Sequence, residues 1–282
     1  MEIKSVLTGK RGVSLPFTDL CDPITLNENQ FKGIIDNIFR HGKKAKWRYI
    51  EFKGGKSIFQ DSPVSSYCYH HSLDLTRNEQ DIFSSFKSNT RRNIKKANKQ
   101  GLKIDFLNSL ESVRFFFRLN CVTRKLHGLP PQPFYFFKKI YKHIISRKKG
   151  FVVLVSFKES YIAGAIYFHF RDNVIYKYGA SDRIFQHLRA NNLIMWEAIK
   201  WYANKGLKTF SFGKTEPENR GLLQFKRGWN TKEETINYYK YDLIKNCFVS
   251  KKAGLKTSYN FFRHMPSPIL KFTGNILYRH VG

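Results

Sequence analysis

Three apolar runs rich in β-branched and aromatic residues, separated by short polar turns, stand out in the middle of the chain. They occupy positions 150–157, 161–170 and 174–181, and the turns fall at 158–160 and 171–173. Runs of this length and composition are typical of strands, and turns this short join antiparallel neighbours. The pattern predicts an antiparallel meander of three strands.

A helical spacing of apolar positions surrounds this meander. Apolar side chains recur three and four positions apart in three segments, 110–127, 134–145 and 190–205. That spacing predicts amphipathic helices, and Gly206 is expected to end the last of them. We then predict a short strand at 209–212 that breaks at Gly213, a short helix after Gly221, and a last strand at 235–243.

The N-terminal part has the same kinds of element, more widely spaced. Its pattern predicts a helix from Asn29 to His41 and short strands at 47–52, 66–75 and 102–107. A basic helix capped by Ser88 or Asn89 and ended by Gly101 precedes the last strand. Only Ile94 and Ala97 form the apolar stripe of this helix, so its many cations favour an anionic partner.

Strands and helices thus recur in both halves of the chain, which predicts an α+β fold with mixed, mainly antiparallel sheets flanked by helices. We expect residues 1–107 to form an incomplete first lobe, residues 108–245 a complete second lobe, and residues 246–282 a basic aromatic tail. The tail carries no acid and sets Phe and Ile among Lys and Arg. It is expected either to lie at a membrane surface or deliver the acceptor, or to pack onto the second lobe.

The charge of the chain is strongly positive. It holds 50 Lys and Arg against 21 Asp and Glu, a formal net charge of +29. The acid-free stretches run from Lys87 to Lys103, from Ser112 to Lys158, and from Ser250 to the end. Nucleic acid, an anionic membrane, an acidic carrier protein and a phosphate-rich substrate all fit this charge, as does a surface simply solvated by Lys.

The cysteines and the N-terminal stretch favour a cytoplasmic location. Cys21, Cys68, Cys121 and Cys247 are far apart and lack the spacing of a metal site, so we expect reduced thiols and no metal. The N-terminal stretch has no apolar leader, and no window reaches the roughly 18 apolar residues of a spanning helix. We expect a cytoplasmic protein, with peripheral contact at the inner membrane face as an option.

Ionisable side chains gather between the strand at 209–212 and the helix that follows it. In open α/β sheets such places bind ligands. Phe225 and Trp229 lie one helical turn apart and are expected to hold the short helix against the core. A solvated connection is the alternative. The ionisable side chains are Lys214, Glu216, Glu218, Arg220, Lys226 and Arg227.

Four motifs, SNTRRNIKKANKQGLKI, YGASD, LIMWEAIKWYANKGLKTFSFG and LLQFKRGW, resemble those of the Fem-type peptidyltransferases and FemAB-like relatives in the GNAT superfamily. The resemblance covers roughly Val13 to Leu243 and implies two GNAT-like lobes with an acceptor in the cleft between them. It implies an enzyme that moves an acyl or aminoacyl group to an amine or hydroxyl of a cell-envelope or polysaccharide precursor. The acceptor would bear phosphate or be lipid-linked.

The donor implied by this resemblance is anionic, either acyl-CoA as a cosubstrate or aminoacyl-tRNA, and no tightly bound cofactor is implied. The chain lacks the long helical arm of the tRNA-dependent members, which disfavours tRNA. The GNAT phosphate loop corresponds to 185–190, where Gln186 and Ala190 match loosely. Leu188 and Arg189 supply no glycine there, although Arg189 could contact phosphate through its side chain.

Catalytic roles follow from the same motifs. The pair Phe225-Lys226 matches the FK pair that places a lysine at the transferred carbonyl in Fem-type enzymes, and a solvated lysine is the alternative. Acyl transfer also needs a proton acceptor, for which Asp182 and Glu216 are candidates. Candidates for binding substrate, with Arg suited to phosphate, are Arg91, Arg92, Tyr178 and Asn219.

A non-catalytic nucleic-acid-binding protein is the second hypothesis. It would explain the net charge and the many aromatic residues, 26 Phe and 15 Tyr. The sequence contains no helix-turn-helix, RRM or zinc pattern, and its aromatic residues fall at core spacings. Turnover with an amine acceptor would decide for the enzyme, and salt-sensitive binding to mixed-sequence RNA or DNA without turnover would decide against it.

Overall fold

A single mixed sheet organises the chain in the computed structural model, which describes residues 1–250 and 260–280. Its strands lie in the order β1-β2-β3-β10-β4-β9-β8-β7-β6-β5, and β11 pairs with β10. The strand bounds are β1 Glu2–Ser5, β2 Gly9–Val13, β3 Tyr49–Lys53, β4 Ser66–Asp74, β5 Lys103–Leu107, β6 Gly150–Phe157, β7 Ser160–Phe170, β8 Asn173–Ser181, β9 Thr209–Thr215, β10 Lys232–Asp242 and β11 Cys247–Phe248.

Helices cover both faces of this sheet. Their bounds are α1 Glu28–Lys44, α2 Glu79–Ser85, α3 Ser88–Asn98, α4 Leu110–Leu126, α5 Phe134–His143, α6 Ala190–Asn204, α7 Arg220–Arg227, α8 Asn260–His264 and α9 Ser267–Leu277. The α+β fold with mixed sheet and flanking helices is confirmed. The predicted cap of α3 is wrong, because Lys87 precedes the helix without a side-chain cap and Ser88 is already helical.

The antiparallel meander forms as predicted from β6, β7 and β8. Strand β5 extends it by pairing antiparallel with β6. Apolar residues on one side of this sheet pack under α2, α3 and α6, and those on the other side pack under α4 and α5. A third, smaller core lies around α1, β3 and β10. The sequence analysis missed the β1–β2 hairpin, whose short strands contain few apolar residues.

The division into two lobes stays a prediction, and the strands cross its proposed boundary at residue 107. Strand β10 lies between β3 and β4 and is antiparallel to both, so residues 232–242 complete the sheet of the first lobe. Strand β5 belongs by its hydrogen bonds to the sheet of the second lobe. The two proposed lobes therefore share one continuous sheet.

The described part of the tail packs onto helix α4 and the connection that follows it. Leu270 of α9 is buried, and Arg263 donates a hydrogen bond from Nε to the backbone oxygen of Leu126 at 2.9 Å. Gly274 lies so close to Pro131 that a Cβ would stand 2.1 Å from the Pro131 oxygen. Residues 251–259 and 281–282 of the predicted tail lie outside the described residues. One face of α9 is thus packed onto the lobe.

Gly274→Val is expected to push α9 away from the lobe, because the new side chain would meet a backbone oxygen that cannot move aside. We expect the free energy of unfolding to fall by about 1–3 kcal/mol. Urea denaturation and limited proteolysis of the tail measure the effect. Asn275→Val, on the exposed side of the same helix, is the matched control. Equal free energies of unfolding and equal rates of tail proteolysis in the two variants would contradict this packing.

Candidate active site

Strands β8 and β9 diverge in the middle of the sheet. They pair in parallel only over Asn173↔Thr209, Val174↔Phe210 and Ile175↔Ser211. Beyond these pairs β8 runs on to Ser181 and β9 to Thr215. Two neighbouring strands that separate before they end leave a wedge-shaped opening in the sheet, where side chains from both faces can meet.

An irregularity in each strand marks the point of divergence. In β8, Tyr176 and Tyr178 oppose consecutive residues of β7, so Lys177 is the extra residue of a bulge. In β9, a bulge opposite His71 falls at Gly213, whose φ of +69° is a conformation that favours glycine. The predicted strand break at Gly213 is therefore wrong: the strand bulges there and continues to Thr215.

Lys226 of helix α7 fills the opening from one side. Its side chain is only 2% exposed, and its Nζ donates hydrogen bonds to the backbone oxygens of Gly213 at 2.9 Å and Lys214 at 3.0 Å. The bulge of β9 thus supplies the acceptors that hold this ammonium. The alternative of a solvated lysine is wrong.

Burial lowers the pKa of Lys226 from its ordinary 10.5 to about 8, while the negative charges of Asp19 and Glu216 partly oppose the shift. An ammonium with this pKa keeps its charge at neutral pH but gives it up more readily than a surface lysine. It can therefore act as a cation, or, when neutral, as a base.

The free energy of unfolding is expected to depend on pH because the pKa of Lys226 is lowered in the folded protein. Between pH 8 and 10.5 the unfolded chain binds a proton at Lys226 that the folded chain has released, so this group makes unfolding harder as pH rises. Across that pH range, the free energy of unfolding of the wild type should rise by roughly 1–3 kcal/mol relative to that of Lys226→Met. Below pH 8 the difference between the two proteins should not change with pH. Urea denaturation at a series of pH values measures the difference, and a constant difference would contradict the assignment.

Asp19 closes the opening from the N-terminal loop. Its carboxylate lies 3.5 Å from Nζ of Lys177 and accepts a hydrogen bond from the backbone N–H of Lys214 at 3.3 Å. Tyr238 of β10 donates its hydroxyl to the backbone oxygen of Asp19 at 2.7 Å. The loop is thereby tied to β8, β9 and β10 at once. Asp19 was missed by the sequence analysis, because a single acid in a loop of the other half of the chain gives no signal.

A cavity of about 410 Å³ lies beyond the ends of β7 and β8, between α3, α6 and α7. Amide side chains and the start of α6 dominate its wall. Asp182, Gln186, Arg189 and Ala190, which the sequence analysis proposed as site residues, all line it, and Lys226 does not. The other polar residues of the wall are Asn89, Thr90, Asn93, Ser181, Asn191, Asn192 and Gln224.

The N-terminus of α6 forms part of the wall of this cavity. The first N–H groups of a helix have no partner inside it, and the helix dipole adds partial positive charge there. Arg189, immediately before the helix, has a φ of +61° and adopts the left-handed backbone that a glycine would occupy. The loop thus has a glycine-like backbone without glycine, and the side chain of Leu188 is buried.

The two candidate bases lie in different surroundings. Asp182 is half-buried in the cavity wall and accepts a hydrogen bond from the backbone N–H of Ile184 at 3.0 Å, which caps a short 3-10 turn. Glu216 is exposed and forms an ion pair with Lys214 at 3.2 Å. The carboxylate of Asp182 therefore faces the cavity, and that of Glu216 belongs to the loop outside it.

The proposed substrate-binding residues do not lie together, and none of them lines the cavity at the N-terminus of α6. Arg91 donates to the backbone oxygen of Ser84, and Arg92 is exposed. The side-chain oxygen of Asn219 accepts from the N–H of Leu222 at 3.2 Å and caps α7. Tyr178 packs edge-on against Phe137 on the α5 side of the sheet, and burial raises its pKa.

Two residues on the inner face of α3 were not predicted as site residues. Asn89 and Asn93, four positions apart, both line the cavity, whereas the predicted Arg91 and Arg92 do not. A second cavity of about 550 Å³ adjoins the first and shares Asn89 and Gln224 with it. Its cationic wall is formed by Lys87, Arg220 and Arg227. The paired spacing of the asparagines is the signal that could have revealed this face.

A polar group of three side chains, of which only His71 is buried, fixes α7 on the sheet. Arg227 donates to both carboxylate oxygens of Glu233 at 2.6 and 2.7 Å, and Nε2 of the fully buried His71 lies 2.8 Å from the same carboxylate. Burial lowers the pKa of His71, against the effect of Glu233. This arrangement joins the end of α7 to β4 and β10, and so sets the position of Lys226.

Residues 1–250 and 260–280 contain no cluster of three or more His, Cys, Asp or Glu side chains placed to hold a metal ion. Over the same ranges, no helix has the length and apolar character needed to cross a bilayer.

The sequence matches the model of a protein family described as "Acetyltransferase (GNAT) domain" over residues 84–227. The matched region holds α3, α6, α7 and the diverging strands. The chain is also 32% identical, over 90 residues, to the lipid II:glycine glycyltransferase of Staphylococcus haemolyticus. That match covers 29% of this chain and 22% of the relative, so the chain spans only about a fifth of the relative's length.

Solved structures share the fold over more of the chain. The crystal structure of FemX matches with a TM-score of 0.59 at 15% identity, covering 75% of this chain and 77% of that one. The C-terminal domain of a lysylphosphatidylglycerol synthetase from Agrobacterium fabrum matches with a TM-score of 0.55 at 11% identity, covering 81% and 76%. At these identities the likeness concerns the fold.

Proposed function

Because the chain belongs to the GNAT acetyltransferase family, we propose that it transfers an acyl or aminoacyl group from an activated donor to an amine or hydroxyl of a cell-envelope precursor. The observation that carries the proposal is the cavity at the N-terminus of α6, beside two strands that diverge. A helix N-terminus suits a phosphate-bearing donor, and the opening between the strands gives its reactive end access to the sheet interior.

Donor binding, oxyanion stabilisation and proton transfer are assigned to different residues. Backbone N–H groups of Ala190 and Asn191, with the guanidinium of Arg189, hold donor phosphates. Lys226 stabilises the oxyanion that forms when the acceptor attacks the acyl carbonyl, since its ammonium lies in a dry, low-dielectric opening. Asp182, in the cavity wall, accepts the proton that the acceptor loses. When the carbonyl forms again, the bond to the donor breaks, and the leaving sulfur of CoA or ribose oxygen of tRNA takes up that proton. Glu216 is the second candidate for that proton.

The identity of the donor is a choice between two classes. Acyl-CoA is the cosubstrate suggested by the GNAT resemblance, and aminoacyl-tRNA is suggested by the relatives that transfer glycine or lysine. The cationic cavity formed by Lys87, Arg220 and Arg227 next to the donor cavity fits the additional phosphates of either. Arg91, Arg92, Tyr178 and Asn219 remain candidates for contacts to substrate.

The acceptor we propose is lipid-linked and bears phosphate, as in a lipid-linked peptidoglycan precursor or a phosphatidylglycerol headgroup. These two acceptors correspond to the names of the relatives. Peripheral contact with the membrane would bring such an acceptor to the protein. The net charge of +29 favours an anionic acceptor in both cases.

A matrix of donors and acceptors tests the proposal. The purified full chain is incubated with acetyl-CoA or with mixed aminoacyl-tRNA, each together with lipid-linked peptidoglycan precursor or phosphatidylglycerol, and the products are weighed by mass spectrometry. We expect one donor class to add its acyl mass to one acceptor. No product in any combination, together with salt-sensitive binding to mixed-sequence RNA or DNA, would decide for the nucleic-acid-binding alternative.

A further inference from the structure

Helix α9 displays apolar side chains on the face that points away from the lobe. Ile269, Phe272 and Ile276 follow the spacing of one helical face and are 52%, 65% and 47% exposed. Phe261 of the preceding helix α8 adds a ring that is 74% exposed. We call these four residues the α8–α9 face. Large apolar side chains exposed in a row usually mark a surface that something else covers.

The opposite face of α9 is already occupied by the lobe. Leu270 is buried there, and Gly274 lies against Pro131. Lys271 is the single charged residue in the helix. A helix that is apolar on both sides is stable where both sides are buried. Among residues 1–250 and 260–280, none packs over the α8–α9 face on its second side.

The surroundings of this face are cationic. Lys138, Lys139 and Lys142 are exposed on α5, and Arg263 is exposed on α8. Residues 112–158, which include the lysines of α5, contain no acid, and no acid follows Asp242. Exposed apolar side chains with the cations Arg263 and Lys271 on the same two helices are complementary to a surface that is apolar beneath an anionic layer.

An aromatic groove connects α5 and α9 with the N-terminal loop. It has a volume of about 700 Å³ and is lined by Phe17, Tyr135, Phe136, Lys139 and Tyr278, among others. Phe17 stacks on Tyr278 at 5.4 Å between ring centroids, and its backbone oxygen accepts a hydrogen bond from Lys177 at 3.0 Å. Two residues further along the same loop, Asp19 closes the opening beside Lys226. Phe17 thus joins this groove to the loop that carries Asp19.

We propose that the α8–α9 face docks on an anionic lipid bilayer, with Phe261, Ile269, Phe272 and Ile276 inserted among the acyl chains. The lysines of α5 then contact the headgroups. A second copy of this chain would bring the same cations face to face and is disfavoured by repulsion. Nucleic acid would engage the cations through its phosphates but offers no cover for a row of apolar side chains.

Vesicle co-sedimentation of the full chain tests this docking without any acyl donor or acceptor reaction, so its outcome is independent of the proposed activity. The double variant Phe272→Ser/Ile276→Ser is compared with Ile244→Ser, which removes a still more exposed apolar side chain from the turn between β10 and β11. Vesicles of phosphatidylcholine are used with and without phosphatidylglycerol.

We expect the wild type and Ile244→Ser to bind the anionic vesicles, and the double variant to bind at least about tenfold more weakly, since two large apolar side chains no longer leave water. Binding is expected to fall in high salt. Equal binding by the double variant and the wild type would overturn the proposal. So would sedimentation velocity showing a wild-type dimer that the double variant converts to monomers, because a second copy would then be the covering.

Discussion

Replacing Lys226 by methionine is expected to lower turnover about a hundredfold, the usual loss when one donor to an oxyanion is removed. Methionine is unbranched and fills most of the space that lysine leaves, so the core beside β9 stays packed. The change removes the charge and the two hydrogen bonds to the oxygens of Gly213 and Lys214. Steady-state rates with the donor and acceptor found by mass spectrometry measure the effect.

Two further variants separate the effect of the charge of Lys226 from the effect of the volume that its side chain fills. Lys226→Arg keeps the charge but places a planar guanidinium where a compact ammonium fits, so this variant should retain only part of the activity. Lys226→Ala is expected to lower stability as well as turnover, because this side chain is buried. Near wild-type turnover of the methionine variant, with its fold intact, would remove Lys226 from the mechanism.

Asn93→Trp is expected to raise the donor KM by about tenfold or more, because an indole placed on the inner face of α3 occupies part of the 410 Å³ cavity. The change leaves Lys226 in place. Turnover at saturating donor should therefore fall much less than the ratio of kcat to KM. Initial rates over a range of donor concentrations separate the two quantities.

Asn98→Trp is the matched control for this cavity. It places the same side chain on an exposed position of the same helix, outside the cavity wall. We expect its donor KM to equal that of the wild type. If both tryptophan variants behaved alike, donor binding would have to be sought elsewhere, and the adjoining cationic cavity of Lys87, Arg220 and Arg227 would be the next place to test.

The periodicity of the sequence predicted most of the elements around the site, because apolar spacing reflects local geometry. Phe225 and Trp229 were expected to share one face of α7, and their rings lie 5.8 Å apart. Long α6 and the three meander strands also lie where their patterns place them. These elements are held by contacts within their own segments and by cores that their apolar stripes define.

The burial of Lys226 could not be predicted from the same signals. A lysine on an amphipathic helix is ordinarily exposed, and here it is buried because a bulge at Gly213 turns two backbone oxygens toward it. Asp19 reaches the site from a loop nearly 200 positions away in the chain, as its hydrogen bond with Lys214 spans 195 positions. Such contacts depend on how distant strands are ordered in the sheet, which no local pattern encodes.

The position of β10 between β3 and β4 has a consequence for the synthesis of the protein. Cys68 of β4 and Tyr238 of β10 are 170 positions apart. A growing chain emerges from its N-terminus, so β3 and β4 must wait for their common neighbour until residues 232–242 have been made. Their unpaired edges are open to other strands during that time. The chain through β10, rather than its first 107 residues, is therefore the unit that can fold on the ribosome.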